Sequence, residues 1–258
     1  MGILNATPDS FSDGGLNAAP ERAYAHAVQM IAEGANIIDV GGESTRPGAD
    51  AVSVEQEQAR VIPVLKRLCS LDTVISIDTY RADTARKACA LGASLINDVW
   101  GLQKDPEMAD VVAETGAGIV MMHNRQGEDR SIDILDDMLR FFERSIALAE
   151  RAGIPKERQI LDPGFGFGKV LEQNYMILNG FDRLLALGRP VLAGASRKRM
   201  IGEVLNVPVQ ERLAGSLAVH VMALQKGAKI VRVHDVKPHV DAAKIVQAYR
   251  KVEKEAAQ

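Results

Sequence analysis

The chain has 258 residues, a formal net charge of -3 at pH 7, and a composition that is 47% hydrophobic and 25% charged. This balance excludes a broad electrostatic surface for nucleic acid or anionic membrane, and no apolar run approaches the ~20 residues of a membrane span. Cys69 and Cys89 lack the paired spacing of a metal or redox motif, so we expect buried thiols. Met1 leads directly into an apolar strand, so we expect no signal peptide and a cytoplasmic protein.

The first predicted strand, residues 2–4, is followed by an unusually polar segment, NATPDSFSDGG (5–15). Asn, Asp, Ser and Pro each favour turn geometry. The segment is therefore either a solvated turn or a binding loop, and its composition alone leaves both open.

Four later segments share one pattern, in which a Gly-Ala pair precedes a short apolar run and a polar residue. They are EGANIIDVGG (33–42), LGASLINDVWG (91–101), TGAGIVMMH (115–123) and KGAKIVRVHD (226–235). The glycine is typical of a helix C-terminus in the left-handed conformation, which predicts helix ends at Gly34, Gly92, Gly116 and Gly227. The apolar run is too short for a helix, which favours a strand buried on both faces.

Three further strands are predicted at 73–77, 159–161 and 190–193, which brings the total to eight. Helical patterns lie between them, at 20–33, 53–70, 81–91, 105–115, 133–152, 172–187, 208–226 and 236–254. This alternation predicts an α/β fold, a (β/α)₈ TIM barrel whose single domain spans 1–258. An open doubly wound sheet is the alternative, and the complete alternation with no linker makes it the weaker one.

All eight predicted strand ends carry polar residues. They are Asn5, Asp39, Asp78, Asn97 with Asp98, His123, Asp162, Ser196, and Arg232 with His234. Helix capping explains some of the Asp and Asn residues, but it does not explain all eight ends or a cationic one. Because active sites of such barrels lie at the C-terminal strand ends, we expect a binding site there.

The residue types indicate two kinds of ligand group. Asp78, Asn97 and Asp162 suit the edge of a flat heterocycle that carries N–H donors and a carbonyl. Arg232 and His234 are two apart on a strand end, so they face the same side. With the segment SRK (196–198) before a helix, they suit an anion such as phosphate. A solvated basic turn is the alternative for that segment.

Seven motifs together resemble those of bacterial dihydropteroate synthases, in the same order. They are GILNATPDSFSDGG, GGESTRPGA, SIDTYR, INDVWG, LDPGFGFGK, GASRK and RVHD, which span residues 2 to 235. The resemblance implies a (β/α)₈ barrel that condenses a dihydropterin methyl diphosphate with p-aminobenzoate and releases pyrophosphate. It also implies a homodimer and competition by sulfonamides.

The resemblance assigns roles to particular residues. The pterin ring is expected to contact Asp78, Asn97, Asp162 and Lys198. The pyrophosphate is expected to contact Asn5, Arg232 and His234, with Mg²⁺ bridging to Asn5. The p-aminobenzoate pocket is expected to comprise Phe11, Thr45, Arg46, Pro47, Phe167 and Ser196, with the segments 5–15 and 43–49 as two loops above the site. The catalytic set implied by the resemblance is Asp78, Lys198, Arg232, His234 and Asp13.

The sequence departs from the family pattern at two places within the site. Arg199 stands where many members have a serine that helps to hold the aminobenzoate carboxylate. MHNRQG (122–127) replaces the commoner Met-His-Met version of the fifth strand end, which leaves His123 as either a structural residue or a neighbour of the ligand.

For the reaction we expect ionisation at the exocyclic carbon of the pterin, followed by capture by the aromatic amine. No Cys or Ser is expected beside a base at the strand ends, which disfavours a covalent enzyme intermediate. Two alternatives remain: a methyltransferase that binds methyltetrahydrofolate, and a catalytically silent pterin-binding protein. A metal-dependent aldolase is disfavoured because no His and carboxylate set has convincing ligand spacing.

Overall fold

Parallel strands surround a central axis in the computed structural model, which describes residues 1–6, 15–43 and 52–256, with side chains for 1–6, 20–43 and 52–252. The strands within these ranges are β1 (Gly2–Asn5), β2 (Ile37–Gly41), β3 (Val74–Asp78), β4 (Leu95–Asp98), β5 (Gly118–Met122), β6 (Gln159–Asp162), β7 (Leu192–Ala193) and β8 (Ile230–Val231).

The strands close into a barrel in sequence order. β1 to β6 form one continuous parallel sheet, and β7 pairs with β8. Single parallel bridges complete the ring, between Leu161 and Val191 on one side of this pair and between Gly2 and Val233 on the other. The predicted eight-stranded barrel is therefore confirmed, and the open doubly wound sheet is wrong.

Helices surround the barrel and connect successive strands. Within the described ranges they are α1 (Gly15–Ala32), α2 (Val54–Leu68), α3 (Ala82–Ala90), α4 (Met108–Thr115), α5 (Ile134–Arg151), α6 (Leu171–Asn179), α7 (Phe181–Leu185), α8 (Arg199–Leu205), α9 (Leu213–Gln225) and α10 (Val236–Ala256). Two begin at side-chain caps, since Ser53 accepts the Gln56 N–H before α2 and Asp133 accepts the Leu135 N–H before α5.

Three predicted helices differ clearly from the structure, and the first of them, predicted at 20–33, already begins at Gly15. The predicted helix 172–187 is broken into α6 and α7 at Gly180, whose ψ of 27° leaves the helical region. A β-carbon at Gly180 would lie 2.7 Å from a methyl carbon of Leu135 on α5, so this close contact favours glycine there. The predicted helix 208–226 begins only at Leu213, and α8, which precedes it, is the helix expected after SRK (196–198), for which no bounds were predicted. Asn206, with φ of 53°, ends α8 in the left-handed conformation that asparagine tolerates.

The four glycines of the repeated pattern adopt the backbone geometry that the sequence predicts. Their φ values are 103° at Gly34, 115° at Gly92, 68° at Gly116 and 111° at Gly227. Each turns the chain from a helix into β2, β4, β5 or β8, so the repeat marks the entry to half of the barrel strands.

The apolar core lies mainly between the strands and the helices. Side chains such as Ile38, Ile77 and Ile119 point outward from the barrel and are fully buried with the helices. A smaller apolar cluster of Leu95, Val120 and Leu192 fills the N-terminal part of the barrel interior. The C-terminal part of the interior is left to polar side chains.

The burial of the two cysteines agrees only in part with expectation. Cys69 and Cys89 are free thiols, but they are partly rather than fully buried. Across the described residues, no helix combines the length and apolar character needed to cross a membrane.

Candidate active site

Alternation along the strands decides which polar side chains enter the C-terminal end of the barrel, which we call the mouth. Successive strand residues face opposite sides. Asp78, Asn97 and Asp162 share the inward parity of the interior apolar cluster. Arg232 lies one residue beyond β8 and belongs to the same group, because its guanidinium contacts Asp78.

Asp98 and His123 have the opposite parity and do not contribute to this inward group. The Asp98 carboxylate accepts the N–H groups of Trp100 and Leu102 at 2.8 and 2.6 Å, so it anchors the loop after β4. The ring of His123 is fully buried, 4.9 Å from the ring of Phe141 on α5. His123 is thus a structural residue, and the expectation of convergence for every strand end is wrong.

Asp39 lies in the middle of β2 rather than at its end. Its side chain is fully buried inside the barrel, where Oδ2 accepts hydrogen bonds from Arg232 Nε at 2.6 Å and Asn97 Nδ2 at 3.1 Å. A carboxylate in an otherwise apolar strand was the sequence signal for this deeper position, since such a residue needs a buried partner.

Arg232 connects two strands on the opposite side of the mouth. Besides Asp39, its guanidinium donates from Nη2 to Asp78 Oδ2 at 2.7 Å. Burial raises the pKa of Asp78 to about 7, against the opposing effect of Arg232 and with a further increase from Asp39. The attraction of both carboxylates outweighs burial at Arg232 and raises the pKa of its guanidinium further.

Asp162 and Lys198 form the second charged part of the mouth. Asp162 Oδ1 accepts the Gly164 N–H at 2.8 Å, while burial raises the pKa of its carboxyl group. Burial lowers the pKa of Lys198 to about 8, although Asp162 acts in the other direction. The ammonium of Lys198 donates to the Phe165 carbonyl and lies 4.6 Å from the ring centroid of Phe167.

Ser196 and His234 are in direct contact. Ser196 Oγ accepts the His234 backbone N–H at 3.1 Å and lies 3.0 Å from the ring nitrogen Nδ1. The expectation that no serine lies beside a base is therefore wrong. The two residues are 38 positions apart in sequence, and the pairing of β7 with β8 brings them together.

Lys169 organises the loop after β6, and sequence reasoning missed it. Its buried ammonium donates to the carbonyls of His123, Gly164 and Phe167 at 3.2, 2.8 and 3.0 Å. Burial lowers its pKa well below the ordinary value, and nearby Lys198 adds to this. The lysine that ends a glycine-rich run was the available signal, because such loops leave carbonyls without partners.

The same loop needs glycine because it passes close to other parts of the backbone. Gly164 has φ of 64°, and a β-carbon there would lie 2.1 Å from the His123 carbonyl oxygen. At Gly164 the close approach is to the backbone just beyond the end of β5.

The remaining predicted residues fall into two groups. Asn5 is the exposed last residue of β1, and Phe167 is half-buried beside Lys198. Five others lie outside the described residues: Phe11, Asp13, Thr45, Arg46 and Pro47.

Two arginines of the segment 197–199 are engaged away from the charged centre of the mouth. Arg199 is exposed and pairs with Glu128 and Glu203. Arg197 forms a two-point ion pair with Asp235. The expectation that Arg197 contributes to an anion site finds no support in this geometry.

The mouth therefore combines three buried carboxyl groups with two cations inside a parallel barrel, an arrangement suited to a polar heterocycle carrying an anionic group. Comparison with known proteins also indicates a protein that binds such a heterocycle, because the family model described as pterin binding enzyme matches residues 1–234. The dihydropteroate synthase of Bacillus subtilis (strain 168) is 49% identical over 249 residues, which are 96% of this chain and 87% of that protein.

Solved structures of similar proteins superpose closely on the barrel. The dihydropteroate synthase of Xanthomonas albilineans with 4-aminobenzoic acid has a TM-score of 0.93 and 47% identity, and the match covers 97% of this chain and 92% of the other. That of Yersinia pestis, in complex with a sulfonamide drug, has a TM-score of 0.91 and 45% identity, covering 97% and 94%. The chain belongs to the dihydropteroate synthases of the pterin-binding enzyme family.

Proposed function

We propose that the protein condenses (7,8-dihydropterin-6-yl)methyl diphosphate with p-aminobenzoate to give 7,8-dihydropteroate and pyrophosphate, a step of folate biosynthesis. The observation that carries the proposal is the charged mouth of a barrel whose relatives are dihydropteroate synthases. In the reaction, the bond from the methylene carbon to the diphosphate oxygen breaks and a carbon–nitrogen bond forms. The amine gives up one proton.

The pterin ring is assigned to the inward polar group. Asp162 and Asn97 offer acceptors and a donor to the edge of the ring, while Asp78 is held in place by Arg232. Lys198, which lies over the ring of Phe167 and is influenced electrostatically by Asp162, is positioned to cover the face of the heterocycle. These contacts are made by groups already fixed in the barrel, so little ordering is needed on binding.

The diphosphate is assigned to Arg232, His234 and Asn5. Arg232 supplies a charge-assisted donor, and Asn5 presents an exposed amide at the neighbouring strand β1. Among the described residues, no cluster of three or more His, Cys, Asp or Glu side chains could hold a metal ion. A single amide oxygen nevertheless fits Mg²⁺ that arrives with the substrate, because Mg²⁺ is commonly bound by one or two protein groups, substrate phosphates and water. The ion would offset negative charge on the leaving diphosphate.

The p-aminobenzoate site is assigned to Phe167 and Ser196, together with Phe11, Thr45, Arg46 and Pro47 from the two segments outside the described residues. Sulfonamides are proposed to compete for the same site. The complex of the Yersinia pestis relative with a sulfonamide drug supports this assignment.

We propose that the bond to the diphosphate breaks before the amine attacks. The carboxyl groups of Asp78 and Asp162 are placed to stabilise a developing pterin cation, and such preorganised charges contribute several kcal/mol in enzymes, about 3 kcal/mol for a single donor. The contact between Ser196 and His234 leaves a serine nucleophile as an alternative.

The decisive experiment mixes the purified protein with the dihydropterin diphosphate, p-aminobenzoate and Mg²⁺, and detects dihydropteroate by mass spectrometry. Product formation that requires all three components is expected. No product, with both substrates unchanged, would overturn the proposal and favour a silent pterin-binding protein. A methyl transfer from methyltetrahydrofolate would instead favour the methyltransferase alternative.

A homodimer is proposed on a narrower basis. Ile245, Tyr249 and Val252 lie on one face of α10 and are 71%, 56% and 65% exposed, and Met222 on the adjacent α9 is 46% exposed. A second copy of the chain would cover this apolar strip. Sedimentation of the protein and of the variant Tyr249→Lys tests this, and a wild-type monomer would contradict it. The cytoplasmic location stays a prediction from the sequence.

A further inference from the structure

The turn after β7 carries an unusual backbone conformation. Arg197 has φ of 58°, in the left-handed region that costs a non-glycine residue roughly 1–2 kcal/mol. Residues in such conformations persist only when the surrounding structure holds them. The turn separates Ser196 from Lys198, and both of these belong to the proposed site.

Helix α9 holds the backbone of this turn. The Arg197 N–H donates to Ser216 Oγ at 2.9 Å, and the preceding Ala195 N–H donates to His220 Nε2 at 3.0 Å. Arg212, next to the start of α9, donates to the Arg197 carbonyl at 3.1 Å. Each hydrogen bond satisfies a backbone group that lies beyond the end of β7.

The side chain of Arg197 connects the turn to the end of β8. Its Nε donates to Asp235 Oδ2 at 2.9 Å and its Nη2 donates to Asp235 Oδ1 at 2.5 Å. A two-point pair of this kind fixes direction as well as distance. Asp235 directly follows His234, so the pair lies beside the contact between Ser196 and His234.

These side-chain contacts continue a strand pairing that is very short. β7 and β8 share two register pairs, ending with Ala193 and Val231. Within the described residues, the last backbone hydrogen bond between the two strand ends runs from Arg232 N to Ala193 O at 3.0 Å. Beyond it, the contacts of Ser196 with His234 and the ion pair of Arg197 with Asp235 join the two segments.

We propose that the ion pair of Arg197 with Asp235 is a positioning device, which fixes Lys198 on one strand end relative to His234 on the other. The inference rests on the proposed function, since it concerns the placement of residues in that site. Neither member of the pair is assigned a contact with substrate. The pair acts through the residues adjacent to it in the chain.

A charge-reversal cycle tests the proposal. Steady-state kinetics with the dihydropterin diphosphate are measured for Arg197→Asp, Asp235→Arg and the double variant, together with thermal unfolding. Each single variant should lose about 10- to 100-fold in kcat/KM, the scale expected for misplaced reacting groups. The double variant should recover at least tenfold of that loss, because the charges are again complementary. Losses that multiply in the double variant would overturn the proposal.

Milder variants separate positioning from folding. Asp235→Asn keeps the shape of the side chain, and Arg197→Lys keeps the charge but loses the two-point geometry. The matched control is Asp136→Asn, which breaks the ion pair of Asp136 with Arg183 at 2.6 Å, between α5 and α7. Asp235→Asn should lower kcat and raise KM while its melting temperature falls no further than that of the control. Kinetics equal to those of the control would overturn the proposal.

The activity of the wild-type protein separates the proposed function from the positioning role of the ion pair. If the wild-type protein forms no dihydropteroate, the proposed function itself is wrong. If the wild type is active and the Asp235 and Arg197 variants match it, only the positioning role is wrong.

Discussion

At the scale of single residues, Asp162 offers a direct test of the pterin site. Asp162→Asn replaces an acceptor oxygen with a donor, so one buried hydrogen bond to the ring becomes repulsive. We expect pterin affinity to fall by more than about 1 kcal/mol, the cost of leaving a buried polar group unsatisfied. Calorimetry with a pterin ligand measures this, with Asp110→Asn on the exposed face of α4 as the control. A smaller loss would contradict the assignment.

Ser196 distinguishes between the two reaction courses. A serine that only helps to bind the aromatic acid can be lost at modest cost, whereas removal of a nucleophile costs about 10⁴-fold or more in kcat. We expect Ser196→Ala to lower kcat by less than about 100-fold and to raise the KM for p-aminobenzoate. Near-complete loss of turnover, or a pterin adduct on Ser196 by mass spectrometry, would show that the reaction is covalent.

At the scale of elements, the contact between α9 and the segment after β7 should make the folded protein less stable in acid. His220 accepts the Ala195 N–H, and burial lowers its pKa to about 3, with His239 adding to this effect. In the unfolded chain the imidazole of His220 binds a proton below about pH 6.5, whereas in the folded chain it stays neutral until the pH approaches 3. The contribution of His220 to stability is therefore complete above about pH 6.5 and declines as the pH falls, by about 2 kcal/mol at pH 5.

Urea unfolding at pH 7 and pH 5 tests this expectation. His220→Gln keeps an acceptor but has no titrating group, so its stability should change less between the two pH values than that of the wild type. His26→Gln, at an exposed position on α1, is the control and should keep the wild-type dependence. An unchanged dependence in His220→Gln would contradict the prediction.

The sequence predicted most elements because local signals agreed with the tertiary structure. Gly34 and Gly227 mark helix ends by backbone conformation, and the bounds of α2 and α5 follow from Ser53 and Asp133 as caps. The need for glycine at Gly180, where the helix breaks, was not predictable, because it depends on a close contact with Leu135, 45 positions earlier in the sequence.

The site was predicted less completely than the fold. The inward parity of Asp78, Asn97 and Asp162 can be derived from strand alternation, and the same rule would have placed His123 outside. The network of Arg232 with Asp39, and the contact of Ser196 with His234, depend on which strands become neighbours when the barrel closes. Sequence order alone does not give those distances.

At the scale of the whole molecule, the proposed reaction predicts coupling between the two substrates. We expect diphosphate bound at Asn5, Arg232 and His234 to strengthen binding at the p-aminobenzoate site. Affinity for p-aminobenzoate, or for a sulfonamide, should then be about 5- to 150-fold higher with Mg²⁺ and pyrophosphate present, the usual range of such coupling. Titration with and without Mg²⁺-pyrophosphate measures it. Equal affinity in both titrations would show a preformed site.

The buried charges of Arg232, Asp39 and Asp78 have a consequence for the ligand-free protein. Asp39 is fully buried, and the side chains of Arg232 and Asp78 are 20% and 9% exposed, so much of their hydration is lost on folding. Replacing such a group by apolar residues of similar volume is often neutral or stabilising by about 1–4 kcal/mol, whereas removing one partner costs about 3–5 kcal/mol. We expect Asp39→Leu alone to unfold at lower urea concentration, and the combination with Arg232→Met and Asp78→Leu to recover that loss without recovering activity. A triple variant less stable than the single one would contradict this.

The buried charges of Arg232, Asp39 and Asp78 are therefore expected to make the ligand-free protein less stable than an apolar interior would. Ligand binding in the barrel should offset part of this difference, because a ligand at 100 times its dissociation constant raises the free energy of unfolding by about 2.7 kcal/mol. Inside a cell, the supply of pterin substrate would then govern how long each copy of the chain survives proteolysis, as well as how fast it works.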